Sequence, residues 1–227
     1  MMIPPPLEVL YEDNHLLAVV KPAGLATMGV APDKPSLLEL ARQYVKHRCR
    51  KPGNVYLGVM SRLDAPVTGI VLLARTSKAA GRLTEQFRSH RVRKTYWTVV
   101  EGTVQPAAGQ CLDWLGHDER HRRMHVVGPT FPGAKEARLT YRRLKSFSGL
   151  SLLEIELQTG RKHQIRLQLS SRGWPVLGDR KYGSRRPFPA GIALHARQLV
   201  ITHPIKGEPL EFQAPLPSSW QRLGLDE

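Results

Sequence analysis

The sequence predicts an α+β fold on a mixed, mostly antiparallel sheet with helices on its faces. Strand-like runs follow one another directly, helical periodicity is confined to a few short segments, and no regular βαβ alternation is visible. With 227 residues and a 41% hydrophobic composition the chain can bury a substantial core, and it reads as a single domain over 1–227.

The elements follow in order. Strands are expected near 7–11 and 15–20, then a loop containing "KPAG". Ser36 and Glu39 form an S-x-x-E capping box that opens a helix to about residue 48. After "KPGN", extended runs near 55–60 and 69–74 flank "SRLDAPVT". Ser77 is read as the cap of a second helix, where Ala80, Leu83 and Phe87 fall on one face. "KTYWTVVEG" at 94–102 is rich in aromatic and β-branched residues, as a strand requires. Two further strands near 136–146 and 150–158 are joined by "SFSG", a short helix follows Gly160, and extended runs return at 192–202 and 209–213.

The charge balance narrows the function. Thirty-four Lys and Arg face 19 Asp and Glu, a formal net charge of +15, which makes nucleic acid the leading partner class. The basic residues cluster along folded-looking sequence: "HRCRK" (47–51), "RSHRVRK" (88–94), "RHRR" (120–123), "GRKHQIR" (160–166) and "SRR" (184–186). Any one cluster alone reads as a solvated face; several on one domain with few acids between them suggest an RNA surface. Cys49 and Cys111 lie far apart without metal-ligand spacing. No signal segment or membrane-length apolar run is present, so the chain is expected to be soluble and cytoplasmic, with no membrane partner.

"RLDAPVTGIVLLAR" (62–75) sets Asp64 at the lip of a strongly apolar run, where a carboxylate needs a partner or a purpose. Phosphate-loop and dinucleotide motifs are absent. His117, His121 and His125 have the i, i+4, i+8 spacing of ligands along a helix, but the interleaved Arg120, Arg122 and Arg123 disfavour a divalent cation, so no metal site is assigned. Two-metal and two-carboxylate chemistries need further acids, and none lies between Glu39 and Glu85 except Asp64 itself. What remains is a single carboxylate acting on an anionic polymer, with a guanidinium to favour its charged form. On an extended strand Arg62 would share a face with Asp64; a turn at Asp64 would make a distant Arg equally suitable. Taken alone, Asp64 also fits a strand-end Asp that caps a turn.

"SRLDAPVTGIVLLARTSKAA", "RKTYWTVVEG", "LQTGRKHQIRLQL", "PVLGDRKYG" and "LHARQLVITHP", with the opening "VLYEDNHLLAVVKPAGLATM", occur in an order and spacing that resemble the RluA family of RNA pseudouridine synthases over about 7–217. The resemblance implies a pseudouridine synthase fold with a central cleft and conversion of uridine to pseudouridine in rRNA or tRNA, without a cofactor. It further implies that Asp64 is the catalytic carboxylate. Tyr96 matches the aromatic residue that stacks on the target base, and Arg166 the basic residue that pairs with the carboxylate. Arg62 is expected beside the gap left by the extruded base, and Lys94, Arg161, Lys162 and His163 on the RNA. "GDRKYG" at 178–183 reads as a turn capped by Asp179. Ser61, Val67 and Gln168 depart from the family's usual residues, which points to altered substrate fit. No small N-terminal RNA-binding domain is expected before residue 7, and the protein is expected to act as a monomer. The rival reading is a catalytically silent RNA-binding or ribosome-assembly protein on the same fold.

Overall fold

In the computed structural model, residues 7–31, 34–50, 52–118 and 123–225 are described. The chain divides into two units: one runs to Val92 and takes in Arg197–Pro217, the other comprises Arg93–Ala196 and the segment from Ser218.

The first unit begins with β1 (Glu8–Glu12) and β2 (Leu16–Lys21), paired antiparallel with Glu8 opposite Val20. Asp13 closes their turn by accepting the N–H groups of His15 and Leu16, both at 2.7 Å, the local bonding that makes Asp a turn residue. Helix α1 (Leu37–Arg48) starts where expected: the Ser36 hydroxyl accepts from the Glu39 N–H at 3.3 Å, and Leu37, Ala41 and Val45 form its buried stripe. The run expected at 55–60 shortens to β3 (Gly58–Val59), and beyond it the Ser61 hydroxyl oxygen accepts the Leu72 N–H at 3.1 Å. β4 (Thr68–Ala74) is buried along its whole length and pairs antiparallel with β2, Lys21 standing opposite Gly69.

Helix α2 (Ser77–Arg88) is capped by Thr76 rather than Ser77; the Thr76 hydroxyl accepts from the Ala79 N–H at 3.2 Å. Both residues are good caps, and the extended backbone of Thr76 decides between them. Ala79 and Leu83 pack with Leu16, Ala18, Ile70, Leu72 and Ala74 in one core cluster, Ala80 and Phe87 closing its edge. Because the intervening residues of β2 and β4 are equally buried, these strands read as continuous apolar runs rather than alternating ones.

The second unit is an antiparallel sheet of β5 (Arg93–Glu101), β6 (Ala108–Asp118), β7 (Arg123–Val127), β8 (Lys135–Phe147) and β9 (Leu150–Leu157), in the order β5-β9-β8-β6-β7. Ser148 and Gly149 join β8 to β9 with φ of 49° and 72°, the double left-handed geometry of a tight hairpin turn. Helix α3 (Gln164–Ser170) lays Leu167 against Leu115 and Ala137. β10 (Leu194–Thr202) opens in this unit and ends in the first, where its later residues pair antiparallel with β11 (Pro209–Gln213). The short α4 (Ser218–Gln221) buries Trp220.

The β6–β7 hairpin departs from the helical spacing of the histidines. His117 stands opposite Met124 and His125 opposite Gly116 on facing strands, so they do not line a helix. His121 lies outside the described residues. Among those described, no three metal-ligating side chains converge, and no helix is long and apolar enough to cross a membrane.

Candidate active site

Asp64 sits in an irregular segment between β3 and β4 and opens a tight turn in which its carbonyl accepts from the Val67 N–H at 3.0 Å. The residues on either side of it are clamped. Thr27 both donates to the Leu63 carbonyl at 2.8 Å and accepts the Leu63 N–H at 3.1 Å. On the other side the Ala65 carbonyl accepts from the Gly24 N–H at 2.8 Å and from Lys21 Nζ at 3.0 Å. With Leu63 and Val67 buried, the backbone that carries Asp64 has little freedom. This is how a loop can hold a reacting group as firmly as a strand would.

Lys21 is the feature beneath this turn. It ends β2 with no solvent exposure, an unusual fate for lysine. The ammonium donates to the carbonyls of Pro22 and Leu25, both at 2.8 Å, as well as to Ala65. Burial pushes its pKa down to about 8, while the nearby Asp64 carboxylate favours the protonated form. The "KPAG" loop is thus wrapped around a buried cation whose field reaches Asp64. Gly24, with φ of 82°, supplies the left-handed turn that brings its own N–H to Ala65.

In the second unit, Arg166 and Asp179 form a buried bidentate ion pair: Nε donates to Oδ2 at 2.7 Å and Nη2 to Oδ1 at 2.9 Å, the side chains being 6% and 2% exposed. The guanidinium also lies 5.0 Å from the ring centre of Tyr182, the aromatic of the "GDRKYG" motif. The Tyr182 hydroxyl lies 2.6 Å from His163 Nδ1, and the Ser170 hydroxyl donates to the Tyr182 carbonyl. "GDRKYG" does form a turn, with a single 3-10 turn over Arg180–Tyr182, but the Asp179 side chain does not cap it. Its carboxylate is committed to Arg166.

The other sequence-named residues fall as follows. Arg62 is exposed, two residues before the turn at Asp64. Tyr96 lies on β5 opposite Ile155 and is half-buried. Lys94, also half-buried, has its pKa lowered by burial and then by the Arg161 guanidinium, so two cations are held close enough to repel. Arg161 and Lys162 are exposed on the turn before α3, and His163 caps that helix in a left-handed conformation with φ of 55°. Gln164 ties the turn to β8, its amide donating to the Arg138 carbonyl at 3.0 Å and accepting from Thr159 at 2.8 Å and the Arg161 N–H at 3.0 Å. Asp64 and Arg62 belong to the first unit, and Lys94, Tyr96, Arg161, Lys162, His163 and Arg166 to the second.

Lys21 and Asp179 were not singled out from sequence as functional. A lysine closing an apolar strand before proline was the available signal for the first, and an acid beside glycine in a motif rich in cations for the second.

A family model described as RNA pseudouridylate synthase matches residues 15–171. A ribosomal large subunit pseudouridine synthase D of Nitrosomonas europaea is 35% identical over 96% of this chain and 64% of its own length. An uncharacterized RNA pseudouridine synthase of Synechocystis sp. is 33% identical over 96% of this chain and 68% of its own. The chain therefore spans about two thirds of the length of these curated relatives. Among solved structures, the human RNA pseudouridylate synthase domain containing 4 superposes with a TM-score of 0.80 at 26% identity, covering 97% of this chain and 94% of that one.

Proposed function

We propose that this chain, which belongs to the RNA pseudouridylate synthase family, isomerises a uridine of structured rRNA or tRNA to pseudouridine with Asp64 as its one catalytic carboxylate. The observation that carries the assignment is the clamp on Leu63 and Ala65 above the buried Lys21 ammonium. A turn that merely ended a strand would have no use for a buried cation, whose desolvation is costly.

The reaction breaks the N1–C1′ bond of uridine, turns the uracil and joins its C5 to C1′. Atoms and oxidation state are conserved, so no cofactor is required. The target must leave the stack before a side chain can reach the sugar. In this reading Tyr96 receives the base, and Asp64 either attacks C1′ or removes the C2′ proton. Arg166 takes the role of the basic residue that favours the charged carboxylate, its guanidinium fixed in place by Asp179 through Nε and Nη2. Arg62 stands beside the vacated stack. Lys94 and Arg161, like charges that an intervening anion would reconcile, hold a phosphate, with Lys162 and His163 extending the contact. The family match runs from the first unit into the second. The names of relatives such as the tRNA pseudouridine synthase C of Pectobacterium carotovorum, 32% identical, and the ribosomal enzyme above support tRNA or rRNA as the substrate class.

The test is incubation with total tRNA and rRNA from a strain lacking the protein, followed by chemical mapping of pseudouridine. Wild-type protein is expected to create new pseudouridine, and Asp64→Asn none while still binding RNA. If both proteins bind RNA and neither modifies it, a silent RNA-binding role replaces the proposal; free uracil among the products would indicate a hydrolase instead.

A further inference from the structure

The first unit carries a second polar concavity, separate from the Asp64 turn. Glu39, Arg42, Gln43 and Lys46 lie at i, i+3, i+4 and i+7 on α1, the face opposite the buried Leu37, Ala41 and Val45. A helix face of this kind is ordinarily convex and solvated. Here the segment Gly53–Val55 folds back beside it and makes a wall, enclosing a groove of about 450 Å³, within the size range of sites that hold small ligands.

The groove is lined with donors. Among the described residues, the side chains of Gln43, Lys46 and Asn54 make no hydrogen bond or ion pair, so their polar atoms are available to an incoming group. Arg42 and Lys46 are like charges one helical turn apart, a spacing at which they repel. Among the described residues, their one acidic neighbour in the lining is Glu39, 3.6 Å from Arg42 in a pair whose side chains are 52% and 44% exposed. Basic residues in the last turn of α1 suit the helix dipole, but the dipole does not account for the wall opposite them.

We propose that this groove is a second RNA contact, taking a phosphate on Arg42 and Lys46 and the adjoining nucleotide on the amides of Gln43 and Asn54. The inference rests on the RNA-modifying role proposed above. Nine residues carry the chain from Val55 to Asp64, a span of at most about 32 Å, so RNA anchored at the target uridine reaches the groove within a short run of flanking nucleotides. The groove adds affinity and register for the flanking RNA, while the chemistry stays at Asp64.

Fluorescence anisotropy with bulk tRNA as the probe, at two salt concentrations, tests the groove without requiring turnover. The Arg42→Glu/Lys46→Glu pair is expected to weaken binding at least tenfold and to reduce the slope of log K against log salt by about 1.5–2. Glu39→Gln is expected to tighten it about twofold. Lys78→Glu/Lys206→Glu, an equal charge change at two other exposed positions, is expected to cost less than threefold. Binding by the Arg42/Lys46 variant within twofold of wild type overturns the proposal, as does an equal loss in the Lys78/Lys206 control. If wild type makes pseudouridine while groove variants bind normally, the groove alone fails; if wild type binds no RNA, the functional reading fails first.

Discussion

Asp179→Ala isolates what the Arg166–Asp179 pair contributes. The turn bonds at residue 179 are made by its backbone: its N–H donates to Val176, and its carbonyl accepts from Tyr182 and Ser184. Alanine retains all three. What it removes is a carboxylate 2% exposed that takes two guanidinium bonds. Deleting one partner of a buried ion pair destabilises by about 3–5 kcal/mol, since the other charge is left in a poorly solvating interior. For a chain of this size each kcal/mol shifts Tm by about 2–4 °C, so thermal unfolding followed by circular dichroism should show a fall of roughly 6–20 °C. Arg166→Met/Asp179→Leu, which replaces both charges with apolar groups, should recover most of that loss yet form no pseudouridine if Arg166 serves Asp64. A fall below about 3 °C for Asp179→Ala would refute the reasoning and return Asp179 to the role of a turn residue.

Other expectations concern the Asp64 loop and the receiving face. Thr27→Val strips both Leu63 backbone groups of their partner and should cost roughly 2–4 kcal/mol in urea unfolding, with kcat falling about a hundredfold as Asp64 loosens. Lys21 releases its proton near pH 8 in the folded protein and near 10.5 in the unfolded chain. Between those values the unfolded chain binds more protons, so stability should rise with pH by about 2–3 kcal/mol. Urea midpoints at pH 7 and 9.5 should show that rise in wild type and lose it in Lys21→Met. Tyr96→Phe, which keeps the ring, should leave the KM for RNA within about threefold, whereas Tyr96→Ala should raise it tenfold or more; equal values for the two variants would remove Tyr96 from the base platform.

Much of the scaffold was legible because its signals are local. The Ser36 cap, the Ser148–Gly149 turn and the apolar run of β4 each fall where the sequence places them. The β6–β7 hairpin was not: its strands mix His, Asp and Arg with apolar residues, and the histidine spacing imitates a helix. At the site, Asp64 stood out as an acid against an apolar run, but its clamps did not, since Thr27 and Leu63 are 36 residues apart. Lys21 and Asp179 were hidden for a related reason. Lysine before proline and aspartate after glycine have ordinary surface and turn uses, and only tertiary burial gives them others.

While protonated, the Lys21 ammonium spends its donors on three carbonyls, so it acts on Asp64 through its charge and not by handing over a proton. Concealed in this way, its amine is shielded from amine-labelling reagents while the "KPAG" strap stays shut. The rate at which trinitrobenzenesulfonate labels this one lysine would therefore clock the breathing of the catalytic turn, and RNA that seats there should slow the clock.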